Sequence, residues 1–143
     1  MKQNGSDNKL ISGRLETAGV IPTAQRIAIY RYLLCEANHP TAEEIKTWAD
    51  KNFPKLSLAT VYNTLNVLIE ANLLKEVKVP HEAKILYDSN ISYHHHFLDE
   101  DSGELVDIPS ELVEVTSTLA KEFQVHDIQV LMRGKRQKTR TQH

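Results

Sequence analysis

The chain has 143 residues, 41% hydrophobic and 25% charged, an ordinary globular composition that suits one average domain or two small ones. No apolar run approaches the roughly 18 residues that a membrane span needs, and the polar start MKQNGSDNKL is neither a signal nor a transit peptide. A single cysteine, Cys35, excludes an internal disulfide and any Cys-rich zinc ribbon, so the sequence is expected to act in the cytoplasm with no membrane partner.

The net charge of −2 conceals an asymmetry. Residues 1–80 carry 10 basic and 8 acidic side chains, and residues 81–132 carry 2 and 11. The tail from 133, RGKRQKTRTQH, carries 5 basic side chains and no acid. An acidic block holding five of the seven histidines favours cations, whereas the near-neutral first half can touch phosphate locally.

In chain order, Pro22 and Thr23 offer a helix start, and the spacing predicts a helix over roughly 23–36 with Ile27, Tyr30, Leu33 and Leu34 inward. Thr41 with Glu44 three residues on forms a capping box for the next helix, whose buried stripe is Ile45 and Trp48. Ser57 caps a third, with Leu58, Val61, Leu65 and Leu68 inside and the short polar residues Thr60, Asn63 and Thr64 outside. The run LLKEVKVPHEAKILYD then reads as a hairpin turning near residues 80–83. Three short helices, the last with a small-residue polar face, and a hairpin match a winged helix-turn-helix, and such a helix can approach base edges in a major groove. The same elements also build a three-helix bundle that binds nothing, because a fold does not fix a function.

KILYD, GELVDI and DIQVLMRG read as three short strands, interrupted by the amphipathic PSELVEVTSTLAKEF. Ser110 would cap a helix there with Leu112, Val115, Leu119 and Phe123 on one side. One helix on a small sheet makes a thin core, so a homodimer is expected. Between the first two of those strands, and running into the second, stands YHHHFLDEDSGELVDI. Alternation on a strand points His94 and His96 together and His95 away. Asp88 and Asp107 flank them on neighbouring strands. Two imidazoles and two carboxylates can surround one divalent ion at about 2.0–2.2 Å, and a thiolate-free set suits Fe(II), Mn(II), Zn(II) or Ni(II). The competing reading is a polar turn, with Asp99, Glu100 and Asp101 turning at Gly103.

Taken singly, other residues look structural. His39 reads as a loop residue leading into a helix, His126 as a surface histidine, Glu114 as part of a solvated face, and Cys35 as a small buried hydrophobe. His81 and His143 read as solvent-exposed, and the basic tail as a solvated end.

The order TAQR…HPTAEEI…SLATVYNTLNVL…LYDSNISYHHHFLDEDSGELVDI resembles the Fur family of metal-dependent repressors over about residues 12–134, and within it the peroxide-sensing PerR and iron-responsive Irr types. The resemblance implies an α+β chain: an N-terminal winged-helix DNA-binding domain with a preceding helix at 1–84, and a small C-terminal α/β dimerisation domain at 85–143. It implies a regulatory metal site at His39, Asp88, His94, His96 and Asp107 holding Fe(II) or Mn(II), with Zn(II) as a further occupant. Asp rather than Glu at 107 is the feature linked to peroxide sensing, in which Fe(II) and peroxide modify a ligating histidine, here His39 or His94. A second site would use His95, Glu114 and His126, with Tyr93 standing where a histidine is usual. The paired CxxC motifs of many relatives are missing, which leaves no four-cysteine structural zinc.

Towards DNA, the resemblance implies contacts by Arg14, Arg26, Ser57, Thr60, Tyr62 and Asn63. The expected target is an A/T-rich inverted repeat, with Tyr62 against thymine methyls and Asn63 pairing adenine. The preferred reading is thus a PerR-like repressor controlling oxidative-stress or iron-homeostasis genes. An Irr-like or Fur-like regulator answering iron or haem is the alternative. A His/Asp metalloenzyme lacks an evident nucleophile or phosphate loop, and a metal-storage protein has no need of SLATVYNTL.

Overall fold

The computed structural model of the chain describes residues 5–80 and 82–137, the side chains of 5–7 excepted. His81, His143 and the end of the basic tail lie outside these residues. The chain forms two compact units, one ending at Ile91 and the other beginning at Ser92. The division expected at 84/85 therefore falls early. KILYD serves the hairpin of the first unit, where each residue from Ile85 to Asp88 pairs with a partner between Lys75 and Lys78.

The first unit contains α1 (Gly5–Thr17), α2 (Ala24–Cys35), α3 (Ala42–Asn52), α4 (Leu58–Glu70), β1 (Lys75–Lys78) and β2 (Ile85–Asp88). Each of α2, α3 and α4 begins at an expected cap: the Thr23, Thr41 and Ser57 hydroxyls accept from the backbone N–H three residues on, and Glu44 returns a bond to Thr41 N–H at 2.9 Å. Two helices end in left-handed residues. Gly19 (φ 84°) lets Val20 N–H reach the Leu15 carbonyl at 2.8 Å, and Asn72 (φ 61°) lets Leu73 N–H reach the Leu68 carbonyl at 2.9 Å.

The core of this unit is continuous. Leu15, Ile29, Ile45, Val61, Leu65 and Leu68 are all at 0% exposure, and burying each such Leu or Ile contributes about 1.5–3 kcal/mol. Trp48 stacks on Tyr32 with ring centroids 4.3 Å apart. On α4 two expectations fail. Thr64 is buried (3% exposed), because it lies three residues beyond Val61 and four before Leu68, inside the buried arc. Leu58 is 37% exposed, since its first-turn position lies at the edge of that arc. Cys35 is half-buried rather than buried.

The second unit is a three-stranded sheet in the order β4 (Leu105–Pro109), β3 (His94–Asp99), β5 (Leu131–Gly134), with β3–β4 antiparallel and β3–β5 parallel. The turn after β3 forms as expected. The Asp99 carboxylate accepts from Asp101 N–H and Ser102 Oγ, both at 3.1 Å, and Gly103 takes φ 79°. Arg133 and Lys135, at the head of the basic tail, stand 3.3 and 3.6 Å from Glu100 and Asp101, exposed ion pairs of small worth.

The helix expected after Ser110 does not form. A single 3-10 turn spans Ser110–Leu112, Ser110 makes no cap, and 113–130 has no regular secondary structure. Val113, Val115, Thr116 and Thr118 weaken helix propensity. The apolar positions that would have anchored the helix, Leu112, Leu119 and Phe123, are 74%, 59% and 55% exposed. A helix of this length without a packed face is marginal in water. Across both units the chain is α+β, as expected.

Candidate functional site

In the first unit, the loop between α2 and α3 carries His39 at φ 46°, a left-handed conformation that costs a non-glycine residue energy and collects at functional positions. Its Nδ1 lies 2.8 Å from Asn38 Oδ1. Because the amide oxygen only accepts, Nδ1 is the donor there, which leaves Nε2 as the nitrogen that a metal could take from the neutral ring. That Nε2 stands 3.5 Å from Asp88 Oδ2, with both side chains under 10% exposed. Asp88 ends β2, and its other oxygen accepts from Asn90 N–H at 2.9 Å. Tyr87 N–H donates to the Pro40 carbonyl at 2.9 Å, which fastens β2 to the loop bearing His39.

In the second unit, His94 and His96 share one face of β3 and His95 takes the other, as alternation requires. The register sets His96 directly across from Asp107. The two imidazole Nε2 atoms are 3.1 Å apart, and each lies 3.3 Å from Asp107 Oδ1. His94 Nδ1–H donates to the Ser92 carbonyl at 2.6 Å, which leaves Nε2 as the nitrogen that a metal could take from the neutral ring. Atoms bonded to one ion at about 2.0–2.2 Å are separated from one another by about 3.0–3.5 Å. The triangle of His94, His96 and Asp107 therefore already has the edges of one face of a coordination shell. Two nitrogens and one carboxylate oxygen on such a face suit Fe(II), Mn(II) or Zn(II).

The residues expected for a second site are not brought together. His95 is 1% exposed, with Tyr93 edge-on at 4.9 Å, and neither ring nitrogen has a hydrogen-bond partner among the described residues. Glu114 and His126 are exposed on 113–130, the segment that lacks the expected helix. Among the described residues these three do not form a group with ligand atoms within 4.8 Å of one another.

On the nucleic-acid side, Ser57, Thr60, Tyr62 and Asn63 all lie in the opening turns of α4 or at its cap. The Ser57 hydroxyl is engaged there, accepting from Thr60 N–H at 3.1 Å. Arg14 is exposed in the last turn of α1, while Arg26, half-buried, donates from Nη1 to the Ile21 carbonyl at 3.1 Å. Tyr62 is 39% exposed, and its hydroxyl donates to Glu43 Oε2 at 3.2 Å. Burial first, then the Glu43 carboxylate, raise the Tyr62 pKa above the ordinary tyrosine value, so the phenol keeps its proton at neutral pH. The sequence reading missed Glu43, which looks like any first-turn acid, and missed Asn38 and Ser92, whose oxygens orient the imidazoles. Only the spacing of Asn38 and Ser92 beside histidines could have pointed to them.

The family described as the ferric uptake regulator family matches residues 17–133 of the chain. The peroxide-responsive repressor PerR of Staphylococcus aureus is 35% identical over 114 residues, which cover 80% of this chain and 76% of that protein. Among solved structures, PerR of Streptococcus pyogenes, a protein of peroxide sensing and gene regulation, is similar with a TM-score of 0.53 and 26% identity over 90% of each chain. The Helicobacter pylori ferric uptake regulator, with three functional metal binding sites, shares the fold with a TM-score of 0.67 at 16% identity, covering 99% of this chain and 100% of that one.

Proposed function

The chain belongs to the ferric uptake regulator family, and from that footing we propose that it is a metal-dependent, DNA-binding transcriptional repressor of the peroxide-sensing kind. In this reading His39 and Asp88 from one unit and His94, His96 and Asp107 from the other donate to a single Fe(II) or Mn(II). The observation that carries it is the triangle of His94 Nε2, His96 Nε2 and Asp107 Oδ1 with edges of 3.1 and 3.3 Å, two imidazole nitrogens and a carboxylate oxygen at the mutual spacing of ligands on one ion. The 35% identity to a peroxide-responsive repressor supports the choice of signal.

Residues of two units sharing one set of bonds fix the angle between those units. In a homodimer that angle sets the separation of two α4 helices, which must match half-sites about 34–36 Å apart, or a multiple of it. Occupancy then shifts a population towards the arrangement that enters DNA. The exposed Leu112, Leu119 and Phe123 supply apolar surface for the second copy. No helix among the described residues is long and apolar enough to cross a membrane, and a regulator of chromosomal DNA works in the cytoplasm.

A bound Fe(II) would activate peroxide, which Mn(II) would not, so that peroxide would deliver one oxygen atom to an imidazole C–H and leave as water. His39 and His94 are the imidazoles expected to gain oxygen, and an oxidised imidazole no longer donates a lone pair. Mass spectrometry of the Fe(II)-loaded protein after brief peroxide treatment should find one added oxygen on His39 or His94, and none on the Mn(II)-loaded protein. The absence of any added mass on the Fe(II) form would remove peroxide as the signal.

A further inference from the structure

Glu43 suits the start of α3, where a carboxylate meets the positive end of the helix dipole, yet its side-chain partner lies on another helix. It lies in the first turn of α3, beside the helix whose exposed face is proposed to meet DNA, and carboxylates repel phosphate. The capping box of α3 is already complete without it, since Thr41 and Glu44 exchange both bonds. Its Oε2 instead accepts from Tyr62 Oη at 3.2 Å across a sequence separation of 19 residues. The pair borders a cleft of about 390 Å³ whose lining also includes Lys78, Lys84 and Tyr87. Glu82 also lines it and stands 3.5 Å from Lys84 Nζ, so of the two carboxylates there Glu43 is the one that holds the tyrosine.

We propose that Glu43 is a positioning residue for sequence recognition: by accepting the Tyr62 hydroxyl it fixes the pose in which the ring meets a base edge. This rests on the DNA-binding reading above. A tyrosine on a helix surface has two free torsions, and ordering one during binding costs affinity. The Glu43 bond orders the ring beforehand. The same charge weakens contact with any phosphate backbone alike, so it lowers binding to every duplex and leaves the ratio between two duplexes to the base contact.

The test uses the full-length Mn(II)-loaded protein and a duplex enriched from a random pool by the wild type. The quantity read is the ratio of affinities for the enriched duplex and a random one, because the generic effect of charge cancels in it. Glu43→Ala and Tyr62→Phe should each lower the ratio about three- to tenfold, and the double variant should fall no further than the worse single. Glu43→Gln, whose amide oxygen can accept the same bond, should keep most of the ratio, while both Glu43 variants bind random duplex more tightly. Unfolding midpoints of all variants separate these effects from loss of fold. Additive losses in the double variant, a Gln variant as poor as Ala, or an unchanged ratio would overturn the role of Glu43 alone. Failure of the wild type to enrich any sequence would overturn the DNA-binding reading and this role with it.

Discussion

His96 and Asp107 face each other across the β3–β4 ladder, with Nε2 of one 3.3 Å from Oδ1 of the other. Cross-strand register, not chain proximity, creates this donor pair, so its two members can be altered separately from the strands that carry them. Asp107→Asn removes the anionic charge while keeping size, and the Asp107 side chain is 36% exposed, so the fold should persist. Calorimetric titration should show Mn(II) affinity reduced at least about tenfold. Equal affinity would take Asp107 out of the site.

His94 and His95 are neighbours with opposite consequences. His94→Ala should abolish the response of DNA binding to Mn(II) while the far-ultraviolet circular dichroism stays unchanged. His95 is buried with neither nitrogen bonded to a described residue, so His95→Leu replaces a costly polar group with an apolar one. It should leave Mn(II) affinity intact and leave stability unchanged or raised by about 1 kcal/mol in urea unfolding. A variant of His95 that lost metal, or a variant of His94 that kept it, would reverse the assignment of the two faces.

Much of this was legible in the sequence, and two of the failures, over Glu43 and over the helix after Ser110, share one cause. Thr23, Thr41 and Ser57 mark helix starts because capping is local chemistry among residues three apart. The pairing of His94 with His96 was legible because strand alternation is also local. Glu43 against Tyr62 was not, since it depends on how α3 and α4 pack. The helix expected after Ser110 failed likewise, because periodicity in 110–123 shows that an apolar face exists but not that anything covers it.

The capping box before α3 follows His39 by two residues, so its loss should register in stability. Thr41→Ala removes the oxygen that accepts Glu44 N–H at 3.1 Å and should cost about 1 kcal/mol in urea unfolding. No measurable change would mean that α3 is held by its packing alone.

Burial first, then Glu76, Tyr62 and Glu43, raise the Tyr87 pKa above its ordinary value of 10.0. A folded-state value above the unfolded one favours the protonated phenol in the fold. Its contribution is therefore fully present below the unfolded value and is lost as pH rises through the folded one. Urea unfolding should show stability falling above about pH 10, and less steeply in Tyr87→Phe. Parallel curves for the two proteins would show that Tyr87 does not govern the alkaline loss.

The apolar side chains between Leu112 and Phe123 bear on self-association. Leu119→Glu with Phe123→Glu places charge on side chains that are 59% and 55% exposed in one copy of the chain. Sedimentation should show the doubly substituted protein as a monomer, with the helices of the first unit intact. A dimer of unaltered strength would place the contact elsewhere.

The most direct measurement is the affinity of the full-length protein for its enriched duplex with saturating Mn(II) and, separately, in excess chelator, repeated for His39→Ala. The wild type should bind at least about tenfold more tightly with Mn(II), a coupling of about 1.4 kcal/mol or more, and His39→Ala should bind equally weakly in both. Equal wild-type affinity in metal and chelator, or a His39→Ala protein that still tightens with Mn(II), would contradict a cation shared by the two units as the switch.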